Sequence, residues 1–358
     1  MNKRQILAVF AGMLCLATGI FAVRIFWFSP AATQEVPEPP LPPPETHYLA
    51  SSGKRLSGPY TRKNLSFYLI HGEDTLKGKT PLTLEGAMES KLVIVHETGD
   101  VNELSIENVS RNDEVFVQAG DIVKGGQQDR MLAVDLIIPA GSGRIPIDSF
   151  CVESNRWTAR GDESRTEFNS SAEYAPSKDL KIAAKHSKSQ GDVWDRVADS
   201  QEKLSAATNS NAASSVSRSS LPLTLENKRV REDSDSYTKF LSDIVDNKSD
   251  VIGIVMLING KINSSDTYGS SALFVKLWPK LLKAAAIEAV AESPEDSSQK
   301  AVNVADIEAF FETAENAPIS EEQNITDRIR IVSRESETSV FITTFDRGVV
   351  LHKNYLLK

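Results

Sequence analysis

The stretch that most constrains the fold runs from Val115 to Trp157, VFVQAGDIVKGGQQDRMLAVDLIIPAGSGRIPIDSFCVESNRW, where two apolar runs flank a Gly-Ser turn and polar residues crowd the ends. Met131 to Ile138 is apolar except for Asp135, a pattern that predicts a strand covered on both faces. Pro139 to Gly143 supplies a turn, and Arg144 to Val152 the return strand. Alternation along that return puts Ile147, Ser149, Cys151 and Glu153 on one face, and Phe150 and Val152 on the other. The expected product is a small sheet with a polar rim.

Ahead of the first strand lies GDIVKGGQQDR. Gly125-Gly126 permits positive φ, so the loop can turn its amides inward beside Lys124 and Arg130 and receive an anion; an ordinary hairpin loop fits the same residues. The full phosphate-loop pattern is absent.

The chain begins MNKRQILAVFAGMLCLATGIFAVRIFWFSP, with Lys3 and Arg4 ahead of an apolar run from Ile6 to Phe28 broken only by Arg24. At ~1.5 Å rise per residue the run spans a hydrocarbon core of ~30 Å. Residues 1–28 are therefore expected to be a signal-anchor transmembrane helix, with Phe26-Trp27-Phe28 at the interface and the N-terminus cytoplasmic. The rival reading is a cleaved signal peptide ending at Ser29-Pro30-Ala31-Ala32, which leaves a secreted or periplasmic protein. Residues 29–47 are rich in proline and suit an extended spacer. Residues 48–358 then form a domain held outside the cytoplasm at the inner, cytoplasmic membrane.

Within that domain LSFYLIHG from Leu65 reads as the first strand, Thr83 as the cap of a short helix LEGAMES, and Leu92–Glu97, Leu104–Val109 and Glu114–Gln118 as short strands. Polar excursions occupy 158–189, with a short strand at Asp179–Ala184, and 208–233. Between them Gln190–Ala207 is helical, its stripe of Val193, Trp194, Val197 and Leu204 facing the core. Ser234–Asp246 suggests another helix, and Asp250–Ile258 a strand returning through Asn259-Gly260, the best hairpin signal in the chain. A helix capped by Ser270 or Ser271 should be kinked or divided by Pro279, and Asn303–Ala314 adds another. Strands at Arg328–Ser333, Ser339–Phe345 and Val349–Leu356 close the chain. The fold class is α+β, antiparallel or mixed sheets with packed helices.

Several functions are disfavoured at once. A formal net charge of −9 without a basic stripe argues against nucleic acid as a partner. His71, His96, His186 and His352 fall on separate elements without zinc spacing, so no metal is expected, and neither a nucleophile elbow nor a dinucleotide fingerprint occurs. Cys15 lies in the apolar run, so Cys151 has no partner in the domain and is expected to be buried. Catalysis would fall to Asp121 and Glu153 as acid and base near Arg130 and Arg156; the same charges fit a structural ion-pair network. Asp121, Gln128, Arg130, Glu153 and Arg156 are expected to converge in one concavity if they come from neighbouring strand ends.

The run QAGDIVKGGQQDRMLAVDLIIPAGSGRIPIDSFCVESNRW resembles the signature of the domain family named for its association with ADP-ribosylglycohydrolases and rhodanese-phosphatase proteins. QGDVWDRV from Gln190, SSALFVKLWPKLLKAAAIEAV from Ser270 and the closing strand pair are similar to that family's later blocks, in order, over most of Tyr68 to Leu357. Residue by residue, the family's acidic position falls on Asp121, its loop on Gln128 and Arg130, its Cys-x-Glu and Arg-Trp pairs on Cys151, Glu153, Arg156 and Trp157, and its Gln-x-x-x-Trp on Gln190 and Trp194. Asp129 stands where the pattern has Asn. The resemblance implies a contextual link to ADP-ribose or phosphate metabolism and no defined activity. Gln128, Arg130, Arg156 and Gln190 become candidate ligand-binding residues, and the cofactor stays unknown. The expected function is a membrane-tethered extracytoplasmic domain that binds a small molecule or protein partner. Its alternative is a hydrolase-like enzyme acting on an ADP-ribose-type or phosphorylated small molecule.

Overall fold

The computed structural model describes residues 45–49, 53–292 and 302–358, which lie in one compact unit beginning at Leu41. The expected membrane helix and nearly all of the spacer fall outside these residues. Among the described residues no helix is long and apolar enough to cross a membrane.

A nine-stranded antiparallel sheet forms the base of the unit. In spatial order its strands are Glu45–Tyr48, Arg55–Arg62, Leu65–His71, Val251–Ile258, Lys261–Tyr268, Val349–Leu357, Ser339–Asp346, Ile329–Glu335 and Ile319–Asn324. Two strands thus precede Leu65, where the sequence places the first, and the sheet begins within the last spacer residues. LSFYLIH is apolar almost without alternation because both sheet faces are covered. Phe67 and Leu69 join the core under the Ser271–Ala291 helix, while Tyr68 and Ile70 pack with Ile307 of the Val304–Glu315 helix. Phe67 meets Trp278 edge to face at 5.2 Å between ring centroids. Asn259 and Gly260 take φ of 52° and 71°, the paired positive values that a two-residue hairpin requires.

The long helix runs unbroken through Pro279. Proline withdraws the amide that would bond the carbonyl of Val275, and Val275 lies on an exposed part of the helix where water can take that place.

The stretch from Val115 to Trp157 departs from the expected hairpin. Met131–Ile138 is two strands in two sheets. Arg130–Leu132 pairs with Ser149–Cys151 inside a six-stranded sheet, whereas Leu136–Ile138 pairs with Val115–Val117 in a three-stranded one. The break falls at Ala133-Val134-Asp135, because the Asp135 carboxylate accepts the Ala119 amide at 2.8 Å and draws the chain away from the first ladder.

The expected strand at Asp179–Ala184 is instead a helical turn, Lys178–Ile182, continuing as a π-helical turn over Ala183–Ser187. Ser177 caps it by accepting the Leu180 amide. DLKIAAK carries both periods, and the helical one wins because Lys181 and Lys185, four apart, share a face toward buried acids. In the Gln190–Ala207 helix Val193, Val197 and Leu204 are buried as expected, but Trp194 is 38% exposed.

Candidate functional site

Two polar centres meet near Cys151. The first is a buried ion-pair network. Asp129 and Glu153 are both fully buried, and the loops after Arg156 and Ser217 close over them. Arg160 donates through Nη1 and Nη2 to Asp129, Ser220 Oγ adds 2.8 Å, and the Gly125 amide adds 3.0 Å. Glu153 Oε2 lies 2.6 Å from Arg156 Nη2 and accepts the Asp129 amide, and Oε1 accepts the Ser217 hydroxyl. Burial pushes the Asp129 carboxyl up, and although Arg160 pulls against it the net shift is upward. Burial acts the same way on Glu153, but Arg156 and Ser217 outweigh it and hold it below the usual carboxylate range.

The glycine loop therefore receives anions, but they are the protein's own. Gly125 and Gly126 take φ of 119° and 54°. The Gly125 amide is given to Asp129 and the Gln127 amide to Glu97, while Lys124 bonds Glu226. Asp129 supplies one of those internal anions.

The second centre is a cavity of about 370 Å³. Ala119, Ala133, Val134, Phe150, Ile331 and Ile342 give it apolar walls. Its polar lining includes Asp135, Thr344, Asn354 and Lys185, with Lys188, Glu321 and Gln323 at its exposed edge. Behind this lining His352 is held between two carboxylates, Nδ1 2.7 Å from Asp135 Oδ2 and Nε2 2.9 Å from Asp266 Oδ1. Thr344 donates to Asp135 at 2.8 Å, and Asn354 donates to Asp266 at 2.9 Å. The Tyr268 ring stacks on His352 at 4.5 Å between centroids. Burial alone would lower the His352 imidazole, but the two carboxylates outweigh it and raise it above the ordinary histidine value. Burial lowers the Lys185 amine, and Asp135 and Asp266 only partly restore it. At the edge Lys188, left-handed at φ 51°, bonds Glu321 at 2.6 Å.

The residues singled out from the sequence divide between these places. Gln128, Glu153 and Arg156 belong to the ion-pair network, where Gln128 Nε2 donates to the Glu153 carbonyl at 2.9 Å. Arg130 is fully buried, with Nη1 2.8 Å from Cys151 Sγ and its nearest carboxylate oxygen, on Glu97, at 3.7 Å. Gln190 Oε1 accepts the Cys151 amide and Nε2 donates to its carbonyl, as a neighbouring strand would, and Gln190 also lines the cavity. Asp121 stands apart, accepting the Gln118 amide and paired with Lys280. The five rim residues do not share one concavity, because Asp121 is drawn to the long helix, Arg130 lies against Cys151 and Glu97, and Gln128, Glu153 and Arg156 are spent on one another.

Asp135, Lys185, Asp266 and His352 escaped the sequence reading as a group. Asp135 had one signal, a lone acid in an apolar run; Lys185 had none, since it followed the expected strand in a segment read as a polar loop.

A family model, the ARG and Rhodanese-Phosphatase-superfamily-associated Protein domain, matches residues 53–356. Neither a curated protein nor a solved structure matches the chain.

Proposed function

Starting from the premise that the chain belongs to the ARG and Rhodanese-Phosphatase-superfamily-associated Protein domain family, we propose that it is a membrane-tethered extracytoplasmic domain that binds a small molecule in the cavity. The tether is the apolar run from Ile6 to Phe28, read from its length and its basic flank. The observation that carries the binding reading is Lys185: a buried amine on the cavity lining whose single hydrogen bond among the described residues is to Asn354 Oδ1 at 3.1 Å. An amine so placed has donor capacity left for a ligand. The cavity volume falls in the ordinary range for small-molecule sites.

The experiment is a thermal-shift screen of the Leu41–Lys358 unit against nucleotides, ADP-ribose, sugar phosphates and small oxo acids. A ligand at 100 times its Kd should add about 2.7 kcal/mol of stability. Ala184→Phe, which fills the cavity from its π-helical wall, should abolish the shift. A shift that survives that substitution would move the site elsewhere.

The hydrolase-like reading through Asp121, Glu153 and the arginines has weaker support. Glu153 is committed to Arg156 and Ser217, Asp121 to Lys280, and neither carboxylate lines the cavity.

A further inference from the structure

Lys185 is more than an unused donor. Among the described residues it makes no ion pair, although it lines a cavity with apolar walls. Lys181, four residues earlier on the same helical face, is also buried, and its ammonium sits 5.0 Å from the Tyr174 ring centroid. Burial disfavours charge on Lys185 and outweighs the pull of Asp135 and Asp266, with Lys181 adding a smaller push in the same sense as burial, which is how an amine becomes a nucleophile at neutral pH. The same cavity holds a second uncommitted group, the Ser149 hydroxyl, which is buried and has no hydrogen-bond partner among the described residues. A hydroxyl of that kind can donate to a ligand oxygen.

We propose that Lys185 condenses with the carbonyl carbon of a small aldehyde or ketone held in the cavity, forming an imine. This deepens the cavity-binding reading and rests on it. The nitrogen lone pair attacks the carbonyl carbon, and the oxygen takes up a proton to give a carbinolamine. The carbon–oxygen bond then breaks, and the oxygen leaves as water carrying both protons that the neutral amine has lost. No oxidant or other co-reactant is consumed, and the step reverses on adding water.

The test incubates the wild-type domain with glyoxylate, glyceraldehyde or pyruvate in the presence of cyanoborohydride, followed by peptide mass mapping. The expected result is a reduced adduct on Lys185 formed several-fold faster than on exposed Lys228 or Lys239, because an amine lowered by burial is unprotonated for a larger share of the time at neutral pH. Trace acetylation across pH gives a reading that does not depend on the carbonyl probe: the Lys185 rate should level off below the pH at which the exposed lysines do. Adducts confined to exposed lysines, or a Lys185 amine that titrates with them, would overturn the proposal. The two readings fail separately. A ligand shift in the wild-type domain with no adduct on Lys185 sinks the imine and leaves the cavity; an adduct rate on Lys185 indifferent to Ala184→Phe sinks the cavity.

Discussion

Asp129 and Arg160 meet side by side in the interior, Nη1 and Nη2 of the arginine lying 2.7 and 2.6 Å from Oδ2 and Oδ1 of the carboxylate. The arrangement is bidentate and charge-assisted, and Ser220 and the Gly125 amide complete it. An anion-binding loop has in this way been closed by the chain's own carboxylate, and its electrostatics serve stability.

Arg160→Ala strands Asp129, and with it part of the compensation of Glu153. The expected loss is ~3–5 kcal/mol in urea unfolding. Asp129→Asn should cost clearly less, because burial already pushes that carboxyl upward and Asn keeps an acceptor for the Gly125 amide while its NH2 can donate to Ser220 Oγ. Equal losses from the two changes would mean that the pair acts through packing and not through charge.

A pH prediction follows from His352. Its imidazole is raised, so its stabilising contribution is whole below about pH 6.5 and is lost as pH climbs through the folded value. Burial pushes up the carboxyls of Asp135 and Asp266, but the imidazole with Lys185 and Lys181 outweighs it and holds both low. Their contribution is whole above about pH 4 and is lost only as pH falls through the folded values. The triad therefore stabilises most between about pH 4 and 6.5 and weakens on the alkaline side. The lowered Lys185 amine acts in the opposite sense at still higher pH, so the comparison needs a variant that keeps it. The stability difference between wild type and Asp135→Asn should shrink as pH rises above about 6.5. A difference that stays flat into the alkaline range would remove His352 as the titrating group.

Cys151 is 1% exposed, and burial raises its thiol although Arg130 pulls the other way. Native protein should resist iodoacetamide until denaturant unfolds the domain, and labelling should then track unfolding. Alkylation of the folded domain at the rate of a free thiol would show that the strand around Cys151 opens.

The fold was legible where a local rule and the tertiary need agreed. Asn259-Gly260, the Ser270 cap and the closing strands satisfy their own turn or cap chemistry and pack as their periodicity says. Reading failed where one residue serves a distant partner. Asp135 splits a continuous apolar run because its carboxylate reaches Ala119, Thr344 and His352, residues far apart in sequence. Lys185 is placed by a π-helical turn that continues a segment, residues 179–182, whose sequence also alternates like a strand. The rim residues were found as residue types, but the burial of Glu153 and the capture of Asp121 by Lys280 depend on chain segments more than sixty positions away.

The N-terminal reading predicts that alkaline phosphatase fused after Glu45 is active in a bacterial host. It also predicts that the full-length chain stays with membranes through a carbonate wash. An inactive fusion removes the export claim. Release of a shortened chain selects the cleaved signal peptide over the anchor.

The Asp135–His352–Asp266 arrangement depends on a glycine that touches none of its side chains. Gly253 faces Thr267 across the ladder, and a Cβ there would fall inside contact distance of the Asp266 carbonyl oxygen and 2.8 Å from Thr267 Cα. Both obstacles are backbone in the middle of a nine-stranded sheet, so no side-chain rotation relieves them. Gly253→Ala must instead shift the Lys261–Tyr268 strand, which carries Asp266 and Tyr268 against His352. The expected cost is at least the ~1–3 kcal/mol of an overpacked core. A displaced Asp266 would also loosen its hold on His352, so the variant should lose part of the pH dependence that wild type shows above neutrality. Gly253→Ala with wild-type stability and an unchanged pH profile would show that the two strands can part without disturbing the triad.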